Sequence, residues 1–308
     1  MELEGRRFII RDVEGSMRFE LNTADANEYP EFPDIENPDI KKTKAKFFEI
    51  KGSVLAELID KTIFCTTKDE TNFVLNGICF ELLGGDGSKS SKNKLRLVAS
   101  DGVRLAYCER EIEKIEKIES ADNVLFDKRV AIAMVVARKV ASRIMEIVKN
   151  ENVVRFGFID NYVVVRTANS FFYARVMKES FPDYRQVIPN PEEAKRVCKV
   201  NRRAFLHSLK RAVLMSTEKK AKPVIIDFSE KMTVRTEENE LGDVRISLDV
   251  FYDGEPVTVA YNALYLFDVL SKMKSEEVEL RIVSEEKPTI ITGYRDEGFL
   301  YVLMPLIR

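Results

Sequence analysis

Residues 47–67 read FFEIKGSVLAELIDKTIFCTT, and residues 197–217 read VCKVNRRAFLHSLKRAVLMST. Laid over each other with a shift of 150, their apolar positions coincide: Ile50 with Val200, Leu55 with Phe205, Ile59 with Leu209 and Ile63 with Val213, while Thr67 meets Thr217. In each stretch a short strand leads into an amphipathic helix, because the apolar residues pass from alternation to a spacing of three and four. A match of this length at this separation marks a duplicated domain, not a solenoid period.

The copies continue alike. After the first come the alternating strands NFVLNGICFELL and KLRLVASDGVRLAYCERE, separated by the Gly/Ser/Lys-rich loop GGDGSKSSKN (Gly84 to Asn93). The apolar run Val130 to Val136 suits a buried strand, ARKVASRIMEIVK a second helix, and VVRFGFID, YVVVRTA and SFFYARV further strands. After the second come VIIDFS, KMTVRTE and VRISLDVFY, a helix in NALYLFDVLSKMK, then VELRIV, TIITGY and FLYVLMPLI. Each copy is therefore expected to be an α+β domain, two helices on one side of antiparallel sheet.

Outward from the copies, residues 6–22 read as a hairpin turning at Glu14-Gly15, and residues 24–45 as a Pro-rich, charged linker. Two strands are marginal in water, so the hairpin is expected to add to another sheet or to have lost what preceded it. Between the copies lies FPDYRQVIPNP (Phe181 to Pro191), whose prolines exclude a helix interior or a central strand. It is expected to set the angle between two similar domains. The expected organisation is residues 1–43, 44–191 and 192–308.

Composition excludes several functions. The 308 residues suit two or three domains, and an apolar fraction of 45% allows real cores. No apolar run approaches a membrane span, no signal peptide is visible, and a cytoplasmic address is expected. Cys65, Cys79, Cys108 and Cys198 form no Cys-x-x-Cys pair and read as buried thiols. His207 is the only histidine, which excludes a site needing two imidazoles, and no nucleotide loop or nucleophile elbow is present. No metal or other cofactor is expected.

Charge is polarised. The four helical segments, 51–66, 138–149, 201–217 and 261–275, hold 12 basic and 4 acidic residues, a net of +8. The whole chain carries −2, so the remainder carries −10. Basic helices on an acidic body suit a polyanion, and without a base-reading motif that binding would ignore sequence. Lys61, Arg138, Lys139, Arg143, Lys149, Arg202, Arg203, Lys210 and Lys272 are the candidate cations of that face, which the resemblance given next turns towards DNA.

LVASDGVRLAY (Leu97 to Tyr107), FPDYRQVIP (Phe181 to Pro189) and YVLMPLIR (Tyr301 to Arg308) resemble the bacterial sliding clamp, the β subunit of DNA polymerase III. The resemblance covers essentially the whole chain. It implies a clamp fold of repeated domains, with helices lining a ring around duplex DNA, sheets outside and two subunits per ring. Residues 1 to about 43 resemble the end of the family's first domain. A chain with only two complete domains is expected not to close a ring in pairs.

The resemblance also implies a non-catalytic processivity factor with a pocket for a short peptide bearing a glutamine and apolar anchors. The peptides would come from the polymerase III catalytic subunit, the clamp loader, other polymerases and mismatch-repair proteins. Carried over, the pocket comprises Leu75, Gly102, Val103, Arg104, Leu105, Pro182, Gln186 and Val187. From the second copy it takes Asn262, Tyr265, Val302, Leu303, Met304, Pro305 and Leu306. Apolar groups at a domain junction suit aliphatic anchors without the family, although plain domain packing is an alternative. Phe19, Leu214 and Met215 match the dimer interface, with core packing an equal alternative for the last two. Departures bear on peptide preference: Val103 sits where His is frequent, Gln186 replaces a common Arg, Lys220 stands where some members have an aromatic, and Leu306-Ile307-Arg308 replaces a second Met and Arg. The other function class is a nucleic-acid-processing enzyme using the basic helices as a platform, which three converging carboxylates would favour.

Overall fold

The computed structural model describes residues 1–14, 16–28, 46–68, 74–84, 92–112, 114–115, 130–215, 222–238, 240 and 242–307. Most of the expected linker 24–45, residues 85–91 of the Gly/Ser/Lys-rich loop, Thr217 and Lys220 lie outside them. Two compact units are present, Met1–Lys44 and Ala45–Arg308.

In the smaller unit, β1 (Glu2–Glu4), β2 (Arg7–Arg11) and β3 (Arg18–Asn22) form an antiparallel sheet in that order. The expected hairpin is β2–β3, and β1 adds to it a strand whose acidic sequence gave no sign of itself. Phe8 pairs across to Leu21 and Ile10 to Phe19. Phe8 and Ile10 are half-buried, while Ile9 on the opposite face is only 2% exposed.

The larger unit runs through both copies. The first is β4 (Lys46–Ile50), α1 (Gly52–Ile63), β5 (Gly77–Leu83), β6 (Lys94–Ser100), β7 (Arg104–Glu111), β8 (Lys114–Ile115), β9 (Val130–Ala137), α2 (Arg138–Val148), β10 (Val154–Ile159), β11 (Tyr162–Arg166) and β12 (Phe171–Arg175). The second is β13 (Arg196–Asn201), α3 (Arg202–Leu214), β14 (Pro223–Phe228), β15 (Lys231–Arg235), β16 (Arg245–Asp253), β17 (Val257–Asn262), α4 (Ala263–Lys272), β18 (Glu277–Ile282), β19 (Thr289–Gly293) and β20 (Phe299–Leu303). The overlaid helix positions share their burial as well as their pattern: Leu55, Ile59, Phe205 and Leu209 are all fully buried. Strand β17, VTVAYN, was not foreseen. It pairs with β14 as β9 pairs with β5.

Among the described residues all strand pairings are antiparallel. One sheet runs β12-β11-β10-β4-β8, and a second, of 12 strands, runs β17-β14-β15-β16-β13-β18-β19-β20-β7-β6-β5-β9. The second sheet crosses from one copy to the other where β20 pairs with β7, from Phe299 opposite Cys108 to Leu303 opposite Arg104. That continuity is why residues 44–191 and 192–308 lie in one compact unit. In the second copy the nine-residue β16 pairs with β15 and then with β13; in the first copy the same route is broken into β7 and β8.

The helices stand side by side in the order α2-α1-α4-α3. Asn201 and Asn262 cap α3 and α4, their side-chain oxygens accepting from Ala204 N and Leu264 N. Beneath the helices a continuous core joins both copies, with Phe48, Phe80, Phe156 and Phe158 in mutual ring contact at its first-copy end.

Candidate functional site

A groove of about 210 Å3 opens where the two copies meet. Its residues come from the β6–β7 turn, from the connector between the copies and from the end of β20. Nine of the expected pocket residues line it: Leu75, Gly102, Val103, Arg104, Leu105, Pro182, Val187, Val302 and Met304. Leu105 and Val302 are buried beneath it, while Val103, Val187 and Met304 remain 44%, 51% and 38% exposed. Large apolar side chains left this open at one concavity are unusual on a protein surface and make the groove the candidate binding site.

Local chemistry shapes the groove. The turn between β6 and β7 is closed by its own side chains: Ser100 Oγ accepts from Gly102 N, and Asp101 Oδ1 accepts from Val103 N and Arg104 N. Gly102 has a φ of +94°, open to glycine and strained for other residues. Met304 N then donates to Val103 O across the copies at 2.9 Å, and Leu306 N to Ala260 O at 2.8 Å. The C-terminal segment is thus held to both.

The connector FPDYRQVIPNP is anchored rather than merely spaced. Tyr184 is 5% exposed and its hydroxyl donates to Glu81 at 2.8 Å while accepting from Arg96 at 3.1 Å. Asp183 Oδ1 accepts from Arg185 N, starting the tight helical turn Tyr184–Val187. Phe181 and Tyr184 pack with Cys79, Val98, Leu105 and Val302 on the outer face of the large sheet. The aromatic residues therefore hold the groove's wall against β5, β6, β7 and β20.

Six expected pocket residues do not line the groove. Gln186 is exposed and donates to Asp183 at 3.1 Å, bracing the turn. Asn262 is buried as the cap of α4. Tyr265 lies face-on to the Arg104 guanidinium, 4.1 Å from its ring centre. Leu303 is core, Pro305 is buried, and Leu306 is half-buried beyond the groove. Conversely, Ser100, Phe181, Asp183, Tyr184 and Pro288 line it and were not assigned. Phe181 to Tyr184 stood in a quoted motif, and their aromatic-proline chemistry was the available signal.

Arg104 ties the junction from within. It reaches Asp101 at 2.8 Å and the Phe64 carbonyl at 2.9 Å in the first copy, and Asp268 at 2.7 Å in the second. A second cluster lies between α1 and the β19–β20 turn. Lys61 Nζ, only 1% exposed, contacts Asp296 at 2.5 Å and Glu57 at 3.1 Å. Arg110 contacts Glu57 at 2.8 Å. Burial raises the Glu57 carboxyl, but Lys61 and Arg110 outweigh it and hold the group down to about 2.

This corrects the expected DNA face. Lys61 is not on it, because its ammonium is consumed inside the junction. Lys272 bridges α4 to α1 through Asp60 at 2.5 Å. Arg138 donates to the carbonyls of Ile63 and Thr66 and to Thr66 Oγ1, satisfying the end of α1. Arg202 does the same for α4, donating to the carbonyls of Leu270 and Ser275. Lys139, Arg143, Lys149, Arg203 and Lys210 are exposed, with Arg143 also paired to Glu146 at 2.8 Å. The exposed cations thus stand on α2 and α3, the outer helices of the row. Phe19 and Leu214 are 56% and 77% exposed, which removes core packing for Leu214, and Met215 is half-buried.

Comparison with known proteins matches these halves separately. The family model "DNA polymerase III beta subunit, central domain" matches residues 49–183, and "DNA polymerase III beta subunit, C-terminal domain" matches residues 185–307. The Haemophilus influenzae beta sliding clamp is 29% identical over 95% of this chain and 72% of its own length. The Escherichia coli K12 beta sliding clamp is 28% identical over 99% and 75%. Among solved structures, the DNA polymerase III beta subunit of Thermotoga maritima has a TM-score of 0.78 at 29% identity, covering 100% of this chain and 75% of that one. The C. crescentus beta sliding clamp has a TM-score of 0.80 at 26% identity, covering 98% and 74%. With both domain matches in sequence and the fold agreeing, the chain belongs to the DNA polymerase III beta subunit family: it is a DNA sliding clamp subunit, not an enzyme.

Proposed function

We propose that the groove receives a short apolar peptide from replication and repair proteins while the helix row faces duplex DNA. The observation that carries this reading is the convergence of three exposed apolar side chains, Val103, Val187 and Met304, on one concavity at the junction. The partners would be the polymerase III catalytic subunit, the clamp loader, other polymerases and mismatch-repair proteins, in the cytoplasm. The exposed cations of α2 and α3 would meet phosphates without reading bases, which leaves the clamp able to slide. Exposed Phe19 and Leu214 suit contacts between subunits of a ring.

The test is a Val187→Ala, Met304→Ala double variant. Buried anchors in such grooves contribute about 2 kcal/mol or more each, so a labelled peptide with a glutamine and aliphatic anchors should lose at least about a hundredfold in affinity. Both side chains stand at the surface, 51% and 38% exposed, so the melting curve should move little. Unchanged fluorescence anisotropy would remove the groove from partner binding. Leu306, expected in the pocket, is left out because it lies beyond it.

A further inference from the structure

The groove is walled by apolar groups, and the charges around it do not balance. Two of its lining residues are charged, Arg104 and Asp183. Arg104 stands between two carboxylates, Asp101 at 2.8 Å and Asp268 at 2.7 Å. Asp183 has only a share in a cation. Arg185 approaches it to 3.8 Å, while the same guanidinium reaches Glu81 at 3.4 Å and lies over the Tyr184 ring. Arg96 also serves Glu81 but divides itself with Glu109, which Lys94 contacts as well. Beside the lining Pro288, Lys287 is matched by Glu193 at 3.9 Å. Over these contacts the groove's surroundings hold one carboxylate more than their cations. The carboxylate that lines the groove, Asp183, is the one whose cation sits closer to another acid.

The connector holds this carboxylate in place with neutral donors. Asp183 caps the short turn Tyr184–Val187, on the same wall as the exposed Val187. Its Oδ1 accepts from Arg185 N at 3.3 Å and its Oδ2 from Gln186 Nε2 at 3.1 Å. An amide N–H orients a carboxylate without cancelling its charge, and each carboxylate oxygen can accept a further hydrogen bond. The Asp183 side chain is 15% exposed, open to a partner group yet less screened than a charge standing free in water. Arg104 does not offset it across the groove, because its guanidinium is taken up by Asp101, Asp268, the Phe64 carbonyl and the face of Tyr265.

We propose that Asp183 makes the groove selective for a peptide whose apolar anchors are flanked by a lysine or arginine, and sets it against one flanked by Asp or Glu. The inference rests on the peptide-binding reading of the groove. The exposed side chains Val103, Val187 and Met304 offer apolar contact, which ranks one aliphatic sequence little above another. A charge at the wall ranks them by their flanks, through repulsion of the wrong sign as much as attraction of the right one. A lysine carries its ammonium on a flexible four-carbon stem, so a flank next to the anchor at Val187 reaches the carboxylate without dictating the rest of the peptide's path.

The experiment is fluorescence anisotropy of the full chain with a labelled peptide bearing a glutamine and aliphatic anchors. The peptide is made with Lys, Ser or Glu at one flanking position, each flank in turn. At one flank the Lys form should bind about two- to fivefold tighter than the Ser form, the size of one ion pair at a surface, and the Glu form weaker by a similar factor. The differences should vanish at about 1 M salt, where charges are screened within about 3 Å. Asp183→Asn keeps the acceptor that caps the turn and should bind the three forms alike. Gln186→Arg leaves Asp183 in place, sets a cation on its carboxylate and should narrow the preference as well. Equal binding of all three forms by the wild type overturns this inference alone, and so does a preference that survives both variants. Binding that is absent for every form, or that Val187→Ala with Met304→Ala leaves unchanged, overturns the groove reading beneath it and this inference with it.

Discussion

Lys61 separates a structural cation from a DNA-binding one. Replacing it with Met keeps the buried stem and removes only the charge. Asp296, 8% exposed at its side chain, then loses its contact at 2.5 Å, and its nearest remaining cation is Arg110 at 3.8 Å. Its second oxygen, Oδ2, has no hydrogen-bond partner among the described residues to begin with. Glu57 keeps Arg110 at 2.8 Å and Lys274 at 3.3 Å. The cost therefore falls on one uncompensated buried carboxylate, for which about 3 kcal/mol is expected, the low end for breaking a buried pair. In urea, with a slope of about 3 kcal/mol/M for a body of this size, the midpoint should drop by about 1 M. Adding Asp296→Asn should restore most of it, because removing both partners of a buried pair costs far less than removing one. Duplex binding measured below the transition should be unchanged. Unaltered stability together with weakened DNA binding would refute the assignment and return Lys61 to the DNA face.

Changing Lys139, Lys149, Arg203 and Lys210 to Glu should weaken duplex binding equally on unrelated sequences and flatten its salt dependence by about 0.9 per lost phosphate contact, as titrations at several salt concentrations would read. Loss on some sequences only would require base reading. Glu57 should also shape acid stability. Its carboxyl is held down to about 2 from 4.5, so the folded chain binds that proton less readily than the unfolded chain. The stability it contributes is present above about pH 4.5 and lost as pH falls towards 2. Glu57→Gln should flatten the decline of the urea midpoint over that window, and an unchanged decline would exclude Glu57 as its source.

The duplicated strand–helix pattern was legible because each copy buries its own stripe, and a local period records local burial. Strand β17 was not, because VTVAYN runs directly into the residues of α4 and shows too few alternations of its own. The groove's apolar walls followed from the resemblance, and those that are exposed now stand on geometry. The cations were misjudged for two distinct reasons. Lys61 meets Asp296, 235 residues away, and no helical period reports a partner at that distance. Arg138 and Arg202 could have been read better. Both open their helices, where a cation opposes the macrodipole, which is itself a sign of employment elsewhere. Each serves carbonyls at the end of a neighbouring helix.

The groove and the junction share one piece of backbone. Val103 presents its side chain to the groove while its carbonyl accepts from Met304 N, and Arg104, next in sequence, binds both copies. The spacing between Val103 and Met304 is therefore fixed by the register of β7 against β20. Val103, Val187 and Val302 add to this, since a β-branched side chain has few rotamers to lose. An anchor of the proposed peptide would meet surfaces whose ordering cost has already been met in folding, which favours affinity from a small contact. Met304 is the exception at the rim. Unbranched and 38% exposed, it can re-pack against anchors of different shape. If the proposed peptides seat here, these stiff valines and the one adaptable methionine would place the groove's tolerance at Met304 rather than at the valines.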